Sequence, residues 1–276
     1  MSSDLTKLRY CGILIIKYFV YPVGKLFCNP AKEEDAVRIF QKGFNYSQDG
    51  PGNRLVYHLQ GCNLNCPWCA NPEGLALHGG TEYTVAALVD EALSCKMMFF
   101  DGGGVTLTGG EVTMQFDDVK EFLYEIHRLG IHTCIETNGI SSRLEELFPV
   151  LDYLIMDIKH YDPNIHKSAI GIANDKTIKN IRLALAQRRQ LALRIPLIGG
   201  FNATPEDAQG FCRLFDSLVI NENTTLELLP YHEYGKDKYQ KLGMTYRMSD
   251  AAFVAKDRLA EIKRIFLENG IKLINT

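Results

Sequence analysis

The feature that most constrains the fold is a regular alternation of short β-rich runs and amphipathic helical patterns from residue 54 onward. Runs rich in β-branched and aromatic residues predict strands, and apolar residues at helical spacing predict helices. Strand–helix alternation of this kind predicts a parallel sheet with right-handed crossovers. Strands are predicted at residues 54–60, 104–108, 131–136, 153–158, 191–197 and 225–229, with a further short strand at 271–274.

Local signals at the helix ends support this interpretation. Thr84 is a predicted N-cap, because a threonine hydroxyl can accept a bond from a free N–H of the first turn. Thr204 followed by Pro205 predicts another helix start, since proline suits the first helical position. Gly130 predicts a helix end. Helices are predicted at residues 84–98, 115–129, 142–148, 176–187 and 250–269, with one more beginning at residue 204.

The predicted fold class is α/β, an incomplete (β/α)6 TIM-like barrel of parallel strands that is open on one side. A closed barrel typically needs eight βα units in about 250 residues, and this chain has about six. Residues 46–276 form the predicted barrel, and residues 1–45 form an N-terminal extension packed on it. The alternatives are an open doubly wound sheet for the fold, and a membrane-surface or partner-docking role for the extension. Both folds place chemistry at the carboxyl ends of the strands.

Composition and charge exclude several classes of protein. The formal net charge of −3 argues against nucleic-acid binding through bulk electrostatics. No stretch reaches the roughly 20 apolar residues that a membrane-spanning helix needs. The 8 cysteines are too few for a disulfide scaffold of this length, and three of them are crowded together. This usage predicts a reducing compartment, the cytoplasm, and one local metal site.

The crowded cysteines, Cys62, Cys66 and Cys69, follow the first predicted strand directly, with the spacing C-x3-C-x2-C. Structural zinc sites and closed iron–sulfur clusters usually take four ligands from the protein. No fourth cysteine is near in sequence, so a cluster held here keeps one open iron position. The alternative is a structural zinc site completed by a histidine such as His58.

Together with the aromatic Trp68 before the last cysteine, this spacing resembles the signature of the radical S-adenosylmethionine (SAM) superfamily. Other segments resemble the glycyl-radical-enzyme activating enzymes within it, and the resemblance covers the chain from about residue 45 to the C-terminus. These segments are DGPGNR at residues 49–54, QGC at 60–62, GGGVTLTGGE at 102–111, HTCIETNG at 132–139, DIK at 157–159 and LLPYHEYGK at 228–236.

The resemblance implies one [4Fe–4S] cluster on Cys62, Cys66 and Cys69, with SAM bound to the open iron. It also implies reductive cleavage of SAM to a 5′-deoxyadenosyl radical, which takes a hydrogen from a glycine of a large partner enzyme. The expected electron donor is a flavodoxin or ferredoxin, and we expect a monomer that binds no nucleic acid. Two further functions stay open, namely a radical SAM enzyme that acts directly on a small molecule or peptide, and a zinc-binding structural protein.

The resemblance further implies which residues contact SAM. At least one member of the family uses the equivalent strand-end positions for a monovalent cation, so the resemblance also raises a cation site. Glu136 stands where these enzymes usually have aspartate, and its longer side chain counts against that site, which therefore stays open. For two of the positions the residues themselves offer another role: Glu111 could cap the following helix, and Arg194 could form an ion pair inside the barrel. The SAM-binding positions implied are Trp68, Ala70, Gly109, Gly110, Glu111, Thr137, Asp157, Ile158, Lys159, Arg194 and His232.

Overall fold

A computed structural model describes residues 36–274 of the chain. Their centre is one nine-stranded sheet with the strand order β3-β1-β2-β4-β5-β6-β7-β8-β9. The strands are β1 (Ala36–Tyr46), β2 (Asn53–Leu59), β3 (Thr81–Thr84), β4 (Gly104–Gly109), β5 (His132–Thr137), β6 (Tyr153–Asp157), β7 (Leu191–Leu197), β8 (Thr224–Pro230) and β9 (Leu273–Ile274).

Helices connect the successive parallel strands and cover the sheet. The α-helices are α1 (Val85–Ser94), α2 (Phe116–Arg128), α3 (Pro163–Ile170), α4 (Asp175–Ala186), α5 (Pro205–Leu218), α6 (Lys236–Lys241) and α7 (Lys256–Glu268). Short 3-10 helices lie at Pro72–Gly74, Lys96–Met98, Val112–Gln115, Leu144–Val150 and Asp250–Ala252.

The order of the parallel strands decides between the two predicted architectures. β2 pairs in parallel with β4, and from β4 to β9 each strand pairs in parallel with the next one along the chain. A doubly wound sheet would reverse its strand order at a switch point, and this run of strands does not reverse. The ends of the order are β3 and β9, so the described sheet stays open between them. The prediction of an incomplete TIM-like barrel is confirmed.

Two antiparallel strands precede the parallel run. β1 pairs with β2 in the register Ile39–Leu59 to Tyr46–Asn53, and β3 pairs with the first half of β1. Sequence periodicity predicted neither strand, and residues 36–45 were assigned to the N-terminal extension. In the structure the sheet begins at Ala36, within the segment assigned to the extension. Residues 1–35 of the predicted extension lie outside the described residues. No helix within 36–274 is long and apolar enough to cross a membrane.

The main hydrophobic core lies between the parallel strands and the helices that cover them. Tyr57 on β2 meets Phe122 on α2 edge-on, with ring centroids 5.8 Å apart. The predicted caps are confirmed: the Thr84 hydroxyl accepts from the N–H of Ala87. Thr204 forms a reciprocal capping box at the start of α5. These local signals fix where each helix leaves the strand before it.

The last predicted helix is interrupted. The prediction was one helix over residues 250–269, but a 3-10 turn at Asp250–Ala252 is followed by an extended residue, Phe253, and α7 begins only at Lys256. The carbonyl of Ala252 accepts from the N–H of Gly199 at 2.8 Å, so a tertiary contact takes the oxygen that a continuous helix would use internally. The predicted helix at 142–148 is a 3-10 helix containing Pro149.

A core substitution tests this packing. Phe122 is fully buried on α2, so Phe122→Ala should lower the free energy of unfolding by about 3–5 kcal/mol through lost burial and the cavity left behind. Tyr124→Ala, on the exposed face of the same helix, should change it by less than about 1 kcal/mol. Urea denaturation followed by circular dichroism measures both, and equal losses in the two variants would contradict the assigned core face.

Candidate active site

One cavity lies at the carboxyl ends of the parallel strands from β2 to β8. Its wall combines the cysteine loop after β2 with residues that end or follow the other strands, as expected for a parallel α/β barrel. Residues predicted from the sequence that line it are Cys62, Cys66, Trp68, Cys69, Ala70, Gly109, Gly110, Thr137, Asp157, Lys159 and His232. Glu111, Ile158 and Arg194 do not belong to the wall.

The cysteine loop starts at Gly61, whose φ of 96° turns the chain away from β2. Main-chain N–H groups already point at two of the sulfurs: the N–H of Leu64 donates to Cys62 Sγ and that of Asn71 to Cys69 Sγ, each at 3.4 Å. Burial raises the pKa of Cys62 and of Cys66 to about 11. The loop is thus arranged to hold thiolates once a positive metal centre compensates for their burial.

The donor set fits an iron–sulfur group better than a single ion. All three cysteines line one cavity, and thiolates are the ligands that such clusters take. A tetrahedral zinc ion at about 2.3 Å from each sulfur would bring its ligand atoms within roughly 4 Å of one another. No group of three or more His, Cys, Asp or Glu side chains in the described part of the chain has such an arrangement. His58, the alternative zinc ligand, packs on Phe40 instead.

The turn after β4 packs against the cysteine loop through main chain alone. The N–H of Gly110 donates to Leu59 O at 2.9 Å, and the N–H of Glu111 donates to Gly61 O at 2.8 Å. A Cβ atom at Gly110 would lie only 2.2 Å from Gly61 O and 2.8 Å from Gly74 O. Glycine is required here because two backbone segments approach too closely for any side chain.

The sequence matches the family model of the radical SAM superfamily over residues 56–212. The chain belongs to the radical SAM superfamily. This family implies a [4Fe–4S] cluster and SAM as its cofactors, and the three-cysteine loop provides a donor set that suits such a cluster.

Two relatives match most of this radical SAM enzyme. It is 31% identical over 231 residues to pyruvate formate-lyase 1-activating enzyme from Escherichia coli strain K12, covering 82% of this chain and 93% of that protein. It is 30% identical over 289 residues to 4-hydroxyphenylacetate decarboxylase activating enzyme from Clostridioides difficile strain CD196, covering 81% and 90% respectively. The enzyme is therefore a member of the activating-enzyme family.

A solved structure supports the fold. A domain of pyruvate-formate lyase-activating enzyme from Bacteroides vulgatus ATCC 8482 superposes with a TM-score of 0.51 at 23% identity. It covers 62% of this chain and 98% of that domain. At this level of identity the likeness concerns the fold alone, and it agrees with the singly wound strand order described above.

Glu111 of the enzyme lies behind the cavity wall and joins two strand ends. Its Oε1 accepts from the hydroxyl of Thr137 at 2.7 Å, and its Oε2 accepts from the N–H of Asn138 at 2.8 Å. The same carboxylate caps the 3-10 helix that follows, accepting from the N–H of Thr113. Glu111 thus caps the following helix, which was the alternative role that the sequence offered for it. The same carboxylate also fixes the end of β5 relative to the turn after β4.

Arg194 lies inside the barrel and not on the cavity wall. Its guanidinium donates to Glu227 Oε2 at 2.7 Å and to Glu136 Oε1 at 2.8 Å, and it also contacts the Gln48 carbonyl. Burial would raise the pKa of Glu136, but Arg194 more than offsets it and holds that pKa below its usual value. Arg194 therefore forms the interior ion pairs that were its alternative role, and Glu136 is the member of this cluster that reaches the cavity.

A second ion pair lies on the cavity wall at the end of β6. Lys159 Nζ and Asp157 Oδ2 are 2.6 Å apart. Burial alone would lower the pKa of Lys159, but the Asp157 carboxylate raises it above its ordinary value. The residue between them, Ile158, is buried and contributes a main-chain N–H to the carbonyl of Arg194 at 2.8 Å. Lys159 therefore keeps a positive charge on the same cavity wall as the three cysteines.

The far wall comes from the end of β8 and the loop after it. His232 lines the cavity and stacks on Tyr234 with ring centroids 4.0 Å apart. Trp68 of the cysteine loop packs on Phe201 at 4.9 Å. Ala70 lies against Gly235, where an added Cβ atom would meet Ala70 Cα at 3.2 Å. The β8 loop and the cysteine loop are thus packed together.

Asn138 and Tyr231 are among the cavity-lining residues that sequence reasoning missed. Asn138 follows Thr137, and its side-chain amide donates to Asn63 Oδ1 at 2.7 Å, which links the end of β5 to the cysteine loop. Tyr231 precedes His232, and its hydroxyl is 2.5 Å from that of Tyr246. Each adjoins a predicted site residue at a strand end, and that adjacency was the signal that could have identified them.

The close approach at Gly110 predicts a sharp difference between two glycines. Gly110→Ala should destabilise the enzyme by more than about 2 kcal/mol and weaken SAM binding, because the Cβ would push the β4 turn away from the cysteine loop. Gly43→Ala, where nothing lies within 4 Å, should leave both within about 0.5 kcal/mol. Thermal denaturation and isothermal titration with SAM measure these effects. Normal SAM affinity in Gly110→Ala would contradict the packing.

The interior ion pairs predict a pH-dependent stability difference. Arg194→Met should cost about 3–5 kcal/mol of unfolding free energy in apoprotein at neutral pH, because it removes the buried cation that pairs with Glu136 and Glu227. Arg194 lowers the pKa of Glu136 in the folded state, so the ion pair stabilises the fold only while Glu136 is ionised. The cost of Arg194→Met should therefore shrink as the pH falls below about 4.5, the ordinary pKa of Glu136. Arg188→Met, which removes an exposed pair with Glu222, should cost less than about 1 kcal/mol.

A role for Arg194 in SAM contact alone would give the opposite pattern. The apoprotein of Arg194→Met would then unfold like the wild type at every pH, and only the affinity for SAM would fall. Urea titrations at several pH values, with and without SAM, separate the two.

Proposed function

We propose that this chain is an activating enzyme that installs a radical on a glycine of a large partner enzyme. The observation that carries the proposal is the placement of three cysteines and six strand ends around one cavity, in a chain whose relatives over most of its length are activating enzymes. When bound, the [4Fe–4S] cluster and SAM supply a 5′-deoxyadenosyl radical that takes the hydrogen. The polypeptide supplies binding, orientation and a site shielded from water.

The residues of the cavity divide into two proposed groups. Cys62, Cys66 and Cys69 hold the cluster by three corners. The glycine turn after β4 would hold the methionine part of SAM, and the β8 loop would hold its ribose. The residues proposed to contact it are Trp68, Ala70, Gly109, Gly110, Thr137, Asp157, Lys159 and His232. Glu111, Ile158 and Arg194 act behind them as positioning residues.

The charges of the wall suit an anionic cluster and a ligand that carries charged groups of both signs. Lys159 is buried and keeps its proton because Asp157 is 2.6 Å away, and its positive charge stabilises neighbouring thiolates. Glu136 stays ionised beside Arg194. The wall thus carries fixed charges of both signs, so that polar groups of SAM meet preorganised partners in place of water.

The open edge of the sheet supports a protein substrate. In the described residues the sheet ends at β3 and β9 without closing, so a loop of a partner can reach the cavity. Direct action on a small molecule or peptide, the alternative from the sequence, is not favoured, because the matched relatives are activating enzymes over 90% or more of their length. A zinc-binding structural role is not favoured either, since the chain belongs to the radical SAM superfamily.

The proposal has finer parts that concern partners and conditions. The electron donor is a flavodoxin or ferredoxin, and the enzyme acts as a monomer in an anaerobic cytoplasm without binding nucleic acid. A monovalent cation lies near Glu136, although both its carboxylate oxygens already accept bonds from Thr108 and Arg194. Dependence of SAM cleavage on potassium tests the cation site.

The cluster assignment predicts the behaviour of cysteine variants. Anaerobic reconstitution should load about four iron atoms per chain, as the cluster type requires, and a strong reductant should then convert SAM to 5′-deoxyadenosine. Cys66→Ala should lose that product entirely, because one of three cluster corners is gone. Cys212→Ala removes a buried thiol of α5 and should keep both iron and activity. Unchanged turnover in Cys66→Ala would overturn the assignment.

The partner is tested separately. A glycyl radical enzyme encoded next to this chain's coding sequence, mixed with the loaded enzyme, SAM and reductant, should give a glycine-centred doublet in electron paramagnetic resonance. Cleavage of SAM without that doublet, but with consumption of a small molecule, would favour the alternative function.

A further inference from the structure

The helix α6 holds a buried phenol behind the cysteine loop. Its N-cap, Gly235, lies so close to that loop that a Cβ atom there would be 2.5 Å from Cys69 O. Tyr239 is four residues on, one helical turn along the same face, and its N–H donates to Gly235 O at 3.0 Å. Lys238 secures the helix further through Asn71 Oδ1 at 3.1 Å and Glu73 at 3.3 Å.

The hydroxyl of Tyr239 finds no hydrogen-bond partner among the described residues, although the side chain is only 3% exposed. Leaving a buried hydroxyl unpaired is unfavourable, and buried tyrosines normally satisfy this group. Burial raises the pKa of Tyr239 to about 12, and the nearby thiols of Cys69 and Cys66 contribute to that rise. Because Gly235, one turn earlier on the same helix face, lies against Cys69 O, the cysteine loop is the neighbouring segment that can supply the missing acceptor.

We propose that Tyr239 donates a hydrogen bond to a sulfur atom at the Cys69 corner of the bound iron–sulfur cluster. This inference rests on the proposed attachment of the cluster to the three cysteines. Cluster sulfurs are good acceptors, and donors aimed at them stabilise the reduced, more negative form, which raises the reduction potential. Tyr239 is then a positioning and tuning residue that eases entry of the electron and touches no reacting atom of SAM.

Tyr246 provides a matched control beside Tyr239. Their rings meet edge-on with centroids 5.2 Å apart, but the hydroxyl of Tyr246 already pairs with that of Tyr231 at 2.5 Å. Removing either hydroxyl leaves the ring packing in place. Of these two tyrosines only Tyr239 has a hydroxyl without a partner among residues 36–274, so only its removal should reach the cluster.

The test is a reduction titration of the reconstituted enzyme followed by electron paramagnetic resonance. In Tyr239→Phe the equilibrium constant for one-electron reduction should fall roughly threefold to tenfold, about 30 to 60 mV. Tyr239→Leu, which also lacks the hydroxyl, should shift the potential in the same direction. Tyr246→Phe should leave it unchanged. An unchanged potential in Tyr239→Phe, or an equal shift in Tyr246→Phe, would overturn the proposal.

The melting temperature of the apoprotein is a second readout, and a purely structural role of the Tyr239 hydroxyl would change it. Because the hydroxyl has no partner in the described part of the chain, Tyr239→Phe apoprotein should melt at the same or a higher temperature than the wild type, whereas a lower melting temperature would contradict the proposal. Iron content separates the role of Tyr239 from the proposed function on which it rests. A wild type that fails to load about four iron atoms would defeat the proposed function, while full loading with no shift in potential defeats only the role of Tyr239.

Discussion

The parallel register from β2 to β8 is the constraint on which the site depends. Hydrogen bonds between neighbours pair Leu59 with Gly109, Thr137 with Met156, and Asp157 with Arg194. Because all these strands run in the same direction, every strand end reaches the same rim of the barrel. Six segments that lie far apart in the sequence thereby contribute residues to one cavity.

Inside that rim the register also decides which charges meet. Arg194 is the register partner of Glu227 on β8 and of Asp157 on β6, and Glu136 approaches it from β5. The guanidinium binds Glu227 and Glu136, which leaves Asp157 to pair with Lys159 on the cavity wall. The two ion pairs of Arg194 join β7 to β5 and to β8, whereas the Lys159–Asp157 pair lies within the segment that ends β6.

Much of the fold and the cysteine site could be predicted from the sequence. Periodicity located the parallel strands to within a few residues, and Thr84 and Thr204 act as the caps their residue types indicated. β1 and β3 were missed because their pairing is antiparallel and the second half of β1 is largely exposed, which removes the apolar pattern. The final helix was predicted too long because a bond from Gly199 interrupts it.

By itself the sequence determined the strand–helix order and the place of the cysteines at a strand end, since both follow from local periodicity and spacing. Only the tertiary structure decided which polar residues face the cavity. Glu111 and Arg194 lie behind the wall because partners from distant strands bind them. Likewise, Gly235 at the start of α6 lies against Cys69 O only once β8 is in place. Contacts between segments far apart in the chain leave no periodic signal in the sequence, so these contacts could be identified only from the tertiary structure.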